Sequence, residues 1–575
     1  MSNKLLLQNA RYIAGVLCVS AGWIFPSFEG GSSDAFQQIF FLGILSAGSL
    51  LFGLSAINPL VKSAVFGGIF LMAMTPNPYL GRQIAGAAGL LFFGLACHTG
   101  AHFRSKSGGL SWLLFAIVVA AIINAVEGLL QWFGLVGELY HWVIEPERRG
   151  IAFGALRQTN LFATFMCVGS VCTIWLVHRS RLTESMAWFI SVILMFAVAA
   201  SASRTGMLEV IALALSAFVF KKQQSPVASR LMVGQLVLLG LASIFLPVVA
   251  EWHGFGFSSG AERVSHTAQD LRLVIWSNTT QMIFEHPWLG WGWRETGYGH
   301  YMTLFMRRYD GLLDHSHNLP LQIALEFGLP IAVLFCGLLL RAIYWIKPWG
   351  RLSSNNRELS PPLPERQFAW IILLFIVGIH SMLEYPLWYA GFLFLTGLFL
   401  GYLLPVSSVE KSLNNYTIFS IGIAVVVAVS LICLAIVAWR QYVTLLPIYK
   451  TPFTNNRDIH RAAVASAINQ ASGAWLFREQ LEFAALGLIV VTPKNAAEVR
   501  QRAEKLLHFS AEPMVIQPLL LSLWYLHDAD ALRFHTKRFC HAFPLAFERW
   551  RQAYARHPMR DAAGDLSEAC RPKSP

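Results

Sequence analysis

The feature that most constrains this chain is a recurrence: apolar runs such as GLSWLLFAIVVAAIINAVEGLLQWFG at 109–134 return through its first three quarters. A helix rises about 1.5 Å per residue, so runs of about 20 residues are long enough to cross a bilayer core of about 30 Å. Composition agrees, since 55% of the 575 residues are hydrophobic and only 13% are charged. That balance excludes an ordinary soluble domain and points to an all-α polytopic membrane protein. About 13 transmembrane helices are expected, centred near residues 17, 46, 70, 92, 120, 168, 193, 213, 241, 331, 376, 395 and 428. The first, the third and the pair near 193 and 213 have the least sharp edges. The first span lacks a small-residue cleavage site and is followed by others, so it reads as a span rather than a removable leader.

Loop charges orient the spans. Lys4, Arg11, Lys62, Arg104, Lys106, Arg179, Arg181, Lys221, Lys222, Arg230, Lys347, Arg351, Arg357, Arg366 and Lys411 fall on one side, which the positive-inside rule makes cytoplasmic. The opposite loops carry Arg82, Arg148, Arg149, Arg157, Arg204, Arg263, Arg272, Arg294, Arg307 and Arg308, and no lysine. Arginine offers a permanently charged planar fork suited to phosphate, whereas lysine is a point charge. Two readings stay open here: exclusion of topogenic lysine, or recognition of an anionic substrate. An odd number of spans places the carboxyl end on the arginine side too. Of the eight cysteines, Cys540 and Cys570 lie in the hydrophilic tail, where they could pair in an oxidising compartment.

The chain divides at about residue 440. Residues 1–440 form the membrane domain, with two external loops: 134–157, and the long, aromatic-rich 251–317. Residues 441–575 contain six amphipathic segments too short and too charged to span, which paired as hairpins suggest a helical solenoid of the tetratricopeptide type. The polar, proline-rich connector 347–366 reads as a linker.

Polar clusters gather on the arginine side. Asn124, Glu127 and Gln131 share one face of a span, where a carboxylate is costly. Next come Arg157, Gln158 and Asn160 in RQTN, then Arg204 in SASRTG, then Arg272 at the head of LRLVIWSNTTQMIFEHPWLGWGW. His380, Glu384 and Tyr385 stand in HSMLEYPLWYAGFLF. Between them LLDHSHNLPLQIALEFGLP places Asp314, His315, His317 and Asn318 before an apolar helix. Asn318 is a strong helix cap with Pro320 in the first turn. Two imidazoles at i, i+2 without HExxH or CxxC are a poor zinc set, so no metal or cofactor is expected. A histidine near external arginines makes sense as a general base. Asp528 and Asp530 form a literal DxD, but they begin a tail helix and read as a cap. No nucleotide-binding loop is present, and no nucleic-acid partner is expected.

In this order, EGLLQWFG, RQTNLFAT, SASRTG, RLVIW…EHPWLGWG, HSHNLPLQIALEFGLP and HSMLEYPLWYAGFL resemble the bacterial O-antigen ligase and polymerase superfamily. The last motif and the helical tail resemble its protein O-oligosaccharyltransferase branch, the pilin-glycosylating PglL type. The resemblance implies transfer of a glycan en bloc from undecaprenyl pyrophosphate to a Ser or Thr hydroxyl of a pilin-like protein, at the periplasmic face of the inner membrane. It implies that Arg204 and Arg272 bind pyrophosphate and that His317 deprotonates or orients the acceptor, with His315 and Asn318 beside it. Glu127, Gln131, Arg157, Gln158, Asn160, His380, Glu384 and Tyr385 are then site-lining. Transfer to lipid A core and O-antigen polymerisation are the rival reactions. An anionic-lipid transporter or flippase is the non-enzyme alternative, disfavoured because few charges sit at mid-span.

Overall fold

The computed structural model describes residues 3–25, 33–75, 77–257, 268–350, 361–405, 414–450 and 457–553. Arg263, Arg351, Arg357, Lys411 and Cys570, with parts of the 251–317 loop and the 347–366 connector, lie outside them. Every regular element among the described residues is a helix, with no strand.

Each of the 13 expected span centres falls on a helix, and nine helices among the described residues are long and apolar enough to cross a membrane. The other four centres fall on Asn3–Ile24, Pro59–Met74, Arg204–Val219 and Ala390–Leu403, which are shorter or less apolar. The boundaries follow local chemistry. Thr183, Ser203 and Ser225 cap their helices through side-chain oxygens that accept from Met186, Gly206 and Ala228 amides. Gly134, in a left-handed conformation at φ 69°, closes Leu110–Phe133.

The chain forms two compact units, neither continuous in sequence. The first comprises Met1–Ile69, Ala87–Gln269 and Gly337–Trp439. Its axis is Thr159–His178, where 89% of the apolar window is buried. Leu110–Phe133, Glu184–Ser201, Arg204–Val219, Pro226–Trp252 and Leu363–Leu373 all pack on it. The helix after Leu363–Leu373 loosens into a π-helical stretch, Leu374–Ile379, immediately before His380.

The second unit comprises Phe70–Gly86, Asp270–Cys336 and Arg440–Pro575. Its C-terminal part holds six helices: Arg457–Gln470, Arg478–Leu486, Ala496–Leu507, Pro513–Tyr525, Ala529–Ala542 and Pro544–Ala553. Each packs on its sequence neighbour. Asp528 caps the fifth by accepting from Ala531 N at 3.1 Å. The loop helix Thr296–Met302 lies on that fifth helix, pinned where Tyr301 Oη sits 3.0 Å from His535 Nδ1 and Arg538 Nε donates to Met302 O at 2.9 Å. Residues 296–305 are therefore an ordered part of this unit.

Candidate functional site

In the first unit the RQTN, SASRTG and HSMLEY motifs meet. Ser203 Oγ donates to Asn160 Oδ1 at 2.7 Å, and Asn160 Nδ2 donates to Glu384 Oε1 at 3.2 Å. One turn along the same faces, Thr164 Oγ1 donates to Glu209 Oε1 at 2.8 Å and lies 2.8 Å from His380 Nδ1. A threonine has one proton; with that proton on Glu209, its oxygen is the acceptor for an Nδ1–H of His380. Asn160 with Thr164, and His380 with Glu384, are i, i+4 pairs, so each segment supplies both rungs of this ladder. Glu209 and His380 are fully buried. Arg204, half-buried, is the first residue of the helix that Ser203 caps, at the end whose free amides and dipole favour anions. Tyr385 stacks on Tyr389, ring centres 6.0 Å apart.

Glu127 is buried. Gln131 is committed elsewhere: its Nε2 donates to Ile144 O and Gly154 O, each at 3.0 Å, and its Oε1 accepts from Phe153 N at 3.0 Å and Gly154 N at 2.8 Å. Asn124 Oδ1 accepts from Ala155 N at 3.1 Å. A primary amide has two donors and two acceptor lone pairs, so Gln131 is saturated and braces the 134–157 loop. That loop ends at Arg157, exposed and left-handed at φ 61°. Gln158, next along, begins extended backbone into the Thr159 helix, and its Oε1 is buried without a hydrogen-bond partner.

The second unit carries Arg272, His315, His317 and Asn318. Asn318 caps Leu319–Phe327 by accepting from Leu321 N at 3.2 Å. His317, half-buried, holds φ 53°, a conformation that costs a non-glycine residue about 1–3 kcal/mol. Ser316 Oγ donates to Asn318 O at 2.8 Å, and Ser316 N donates to Gln322 Oε1 at 2.7 Å, so the turn is bound on both sides of the strained residue. His315 is buried, its Nδ1 3.3 Å from Asp314 Oδ2. Burial pushes the His315 imidazole pKa down, against the pull of that carboxylate.

The EHPWLGWG and HSHN motifs are adjacent because two backbones touch. Trp291 N donates to Leu325 O at 2.8 Å, Gly292 N to Glu326 O at 3.0 Å, and Leu329 N to Pro287 O at 2.8 Å. A Cβ on Gly290 would stand 2.5 Å from the Glu326 carbonyl carbon, and one on Gly328 2.2 Å from Trp288 O. Both positions are also left-handed, so glycine is required twice over. Arg272 lies half-buried in Ala268–Glu285. Beside it a cleft of about 370 Å³ opens between Leu271 and Val274 and the turn Arg307–Gly311, whose backbone Asn278 clamps at Arg307 O and Tyr309 N.

Not every arginine on that side is available to an anion. Arg82 donates to His508 O at 2.7 Å and Phe509 O at 3.0 Å, and Arg308 to His300 O at 2.7 Å, so these two staple loops. Backbone strain marks the motifs more sharply than charge does. Of the seven left-handed non-glycine residues among those described, Arg157, Ala202, Arg294 and His317 lie in or beside RQTN, SASRTG, GWGWR and HSHN. The sequence reading missed Thr164, Glu209, Gln322 and Glu326. Gln322 and Glu326 had a signal, standing at i+4 and i+8 from Asn318, a polar stripe on an apolar helix.

Residues 189–336 match the O-antigen ligase family, and residues 368–557 match the C-terminal region of virulence-factor membrane-bound polymerases. A general O-oligosaccharyltransferase of Acinetobacter baylyi is 23% identical over 341 residues, 58% of this chain and 56% of that protein. A ComP-specific O-oligosaccharyltransferase of the same organism is 23% identical over 313 residues, 54% of this chain and 53% of that protein. The chain thus spans about half the length of the curated relatives it matches. Residues 189–336 are thus similar to the O-antigen ligase family, and over about half of its length the chain is similar to bacterial O-oligosaccharyltransferases.

Proposed function

We propose that the chain is an O-linked oligosaccharyltransferase of the bacterial inner membrane, moving a glycan en bloc from undecaprenyl pyrophosphate to a Ser or Thr hydroxyl of a periplasmic, pilin-like protein. The observation that carries the reading is His317: a strained, half-buried imidazole held by a cap, a serine and a glutamine at the start of a helix. Such strain persists only where the surroundings over-determine it, and it concentrates at functional turns. Similarity to O-oligosaccharyltransferases supports the reaction class.

In the proposed reaction His317 takes the proton of the acceptor hydroxyl as its oxygen attacks the anomeric carbon. The bond from that carbon to the pyrophosphate oxygen breaks, and the lipid pyrophosphate leaves with the electron pair. Arg272 and Arg204 stabilise the charge that develops on it. Arg204 has support from its place at a capped helix start. The charge asymmetry of the loops supports a periplasmic position for these residues, where such a donor would be presented.

The test is co-expression with a lipid-linked glycan pathway and a pilin, followed by mass spectrometry of the pilin. The glycan mass on the pilin is expected with the wild-type chain and not with His317→Ala or Arg272→Ala, each still in the membrane. The match to the O-antigen ligase family favours one second reading, transfer to lipid A core. Glycan on that core and none on the pilin would select it.

A further inference from the structure

Two strained residues of the second unit, Arg294 and His317, sit at opposite ends of one polar relay. Gln322 Oε1 accepts from Ser316 N at 2.7 Å, while its Nε2 donates to Thr296 Oγ1 at 2.9 Å and to Glu326 Oε1 at 3.0 Å. Glu326 Oε1 also accepts from Arg294 N at 3.1 Å. Gln322 and Glu326, one turn apart on a single helix, thus hold the backbones of both left-handed turns. The next residue, Glu295, is buried, and its Oε2 lies 2.8 Å from His508 Nδ1. His508 stacks on Tyr298 with ring centres 4.0 Å apart, and Arg82 grips its carbonyl. His508 follows the helix Ala496–Leu507 directly, so the relay runs without a gap from the C-terminal helices to the backbone between His315 and His317.

We infer that Gln322 is the positioning residue of the His317 turn, and that the C-terminal helices act on turnover by holding its far end through His508 and Glu295, rather than by docking the acceptor. The inference rests on the reading of His317 as the base. The physical reason is rigidity. A left-handed histidine at the start of a short helix would relax to a commoner conformation unless its neighbours' amides were fixed. The relay fixes them with groups that touch neither donor nor acceptor. Displacing a general base by even 1 Å has a large kinetic cost, so a loss anywhere on the relay lowers kcat and leaves KM unchanged.

The test uses the full chain in nanodiscs, with undecaprenyl-pyrophosphate-linked glycan and purified pilin as substrates. Gln322→Leu, nearly isosteric, is expected to lower kcat at least about tenfold with both KM values unchanged. His508→Ala is expected to lower kcat less, and His508→Gln, which keeps a donor to Glu295, to restore it. Hydrogen exchange at residues 314–318 supplies a readout independent of turnover, and should quicken in Gln322→Leu and His508→Ala but not in His508→Gln. If the wild-type chain transfers nothing, the functional reading fails while the exchange result still decides the relay. Unchanged exchange and kcat in folded Gln322→Leu would overturn the inference. So would a rise in acceptor KM alone in His508→Ala, which marks a docking role.

Discussion

Replacing Gln131 with leucine separates a substrate contact from a brace. The side chain makes four hydrogen bonds, all to backbone groups of residues 144–154. A buried hydrogen bond contributes about 0.5–1.5 kcal/mol net, so four place the loss at about 4 kcal/mol. Leucine matches the volume and adds no clash, so the cost falls on the loop amides and carbonyls, now unpaired. The loop escapes by opening to water, and the spans remain. Backbone exchange should therefore accelerate at Phe153 and Gly154, the two amides that Gln131 accepts from, by up to about a thousandfold, since each 1.4 kcal/mol is tenfold. Exchange within Leu110–Phe133 should not change. Hydrogen exchange with mass spectrometry on detergent-solubilised chain reads both regions at once. Unaltered exchange at 153–154 alongside lost glycan transfer would refute the brace and return Gln131 to the substrate.

Three further outcomes follow from the geometry. Gly328→Ala should cost about 3 kcal/mol or more, because its φ is 85° and a Cβ would meet Trp288 O at 2.2 Å; thermal unfolding checks it, and an unchanged midpoint contradicts it. The second unit should weaken in acid: burial, helped by Arg538, holds His535 down at about 4, against 6.5 in the unfolded chain. Its contribution is full above pH 6.5 and is lost as pH falls towards 4, to about 3 kcal/mol, and His535→Gln should flatten the unfolding profile across that window. Arg204→Lys should lower transfer about tenfold if a forked donor grips the pyrophosphate; wild-type turnover would assign Arg204 to lipid headgroups instead.

Helix positions were legible because apolar runs and caps are local: Asn318 and Asp528 cap where the pattern puts them. Span status was less legible at Arg204–Val219 and Ala390–Leu403, where continuous apolarity hid short helices of 16 and 14 residues. The ladder of Asn160, Thr164, Glu209, His380 and Glu384 joins residues up to 224 positions apart. Nothing in a single sequence pairs such groups. Gln131 illustrates a different limit, since a buried amide looks the same in sequence whether it binds ligand or backbone. Strain at Arg294 is likewise invisible in sequence, because arginine is not a residue type that left-handed turns prefer, and at His317 a histidine's modest preference for such turns does not single out one position among 17 histidines.

The central claim, that His317 drives transfer of a lipid-linked glycan to a protein hydroxyl, is tested most directly with purified chain in proteoliposomes, undecaprenyl-pyrophosphate-linked glycan and a pilin acceptor. Mass spectrometry of the acceptor should show the intact glycan on a Ser or Thr with the wild-type chain and none with His317→Ala. Transfer by His317→Ala at the wild-type rate, or an unmodified acceptor with the wild-type chain, would contradict it.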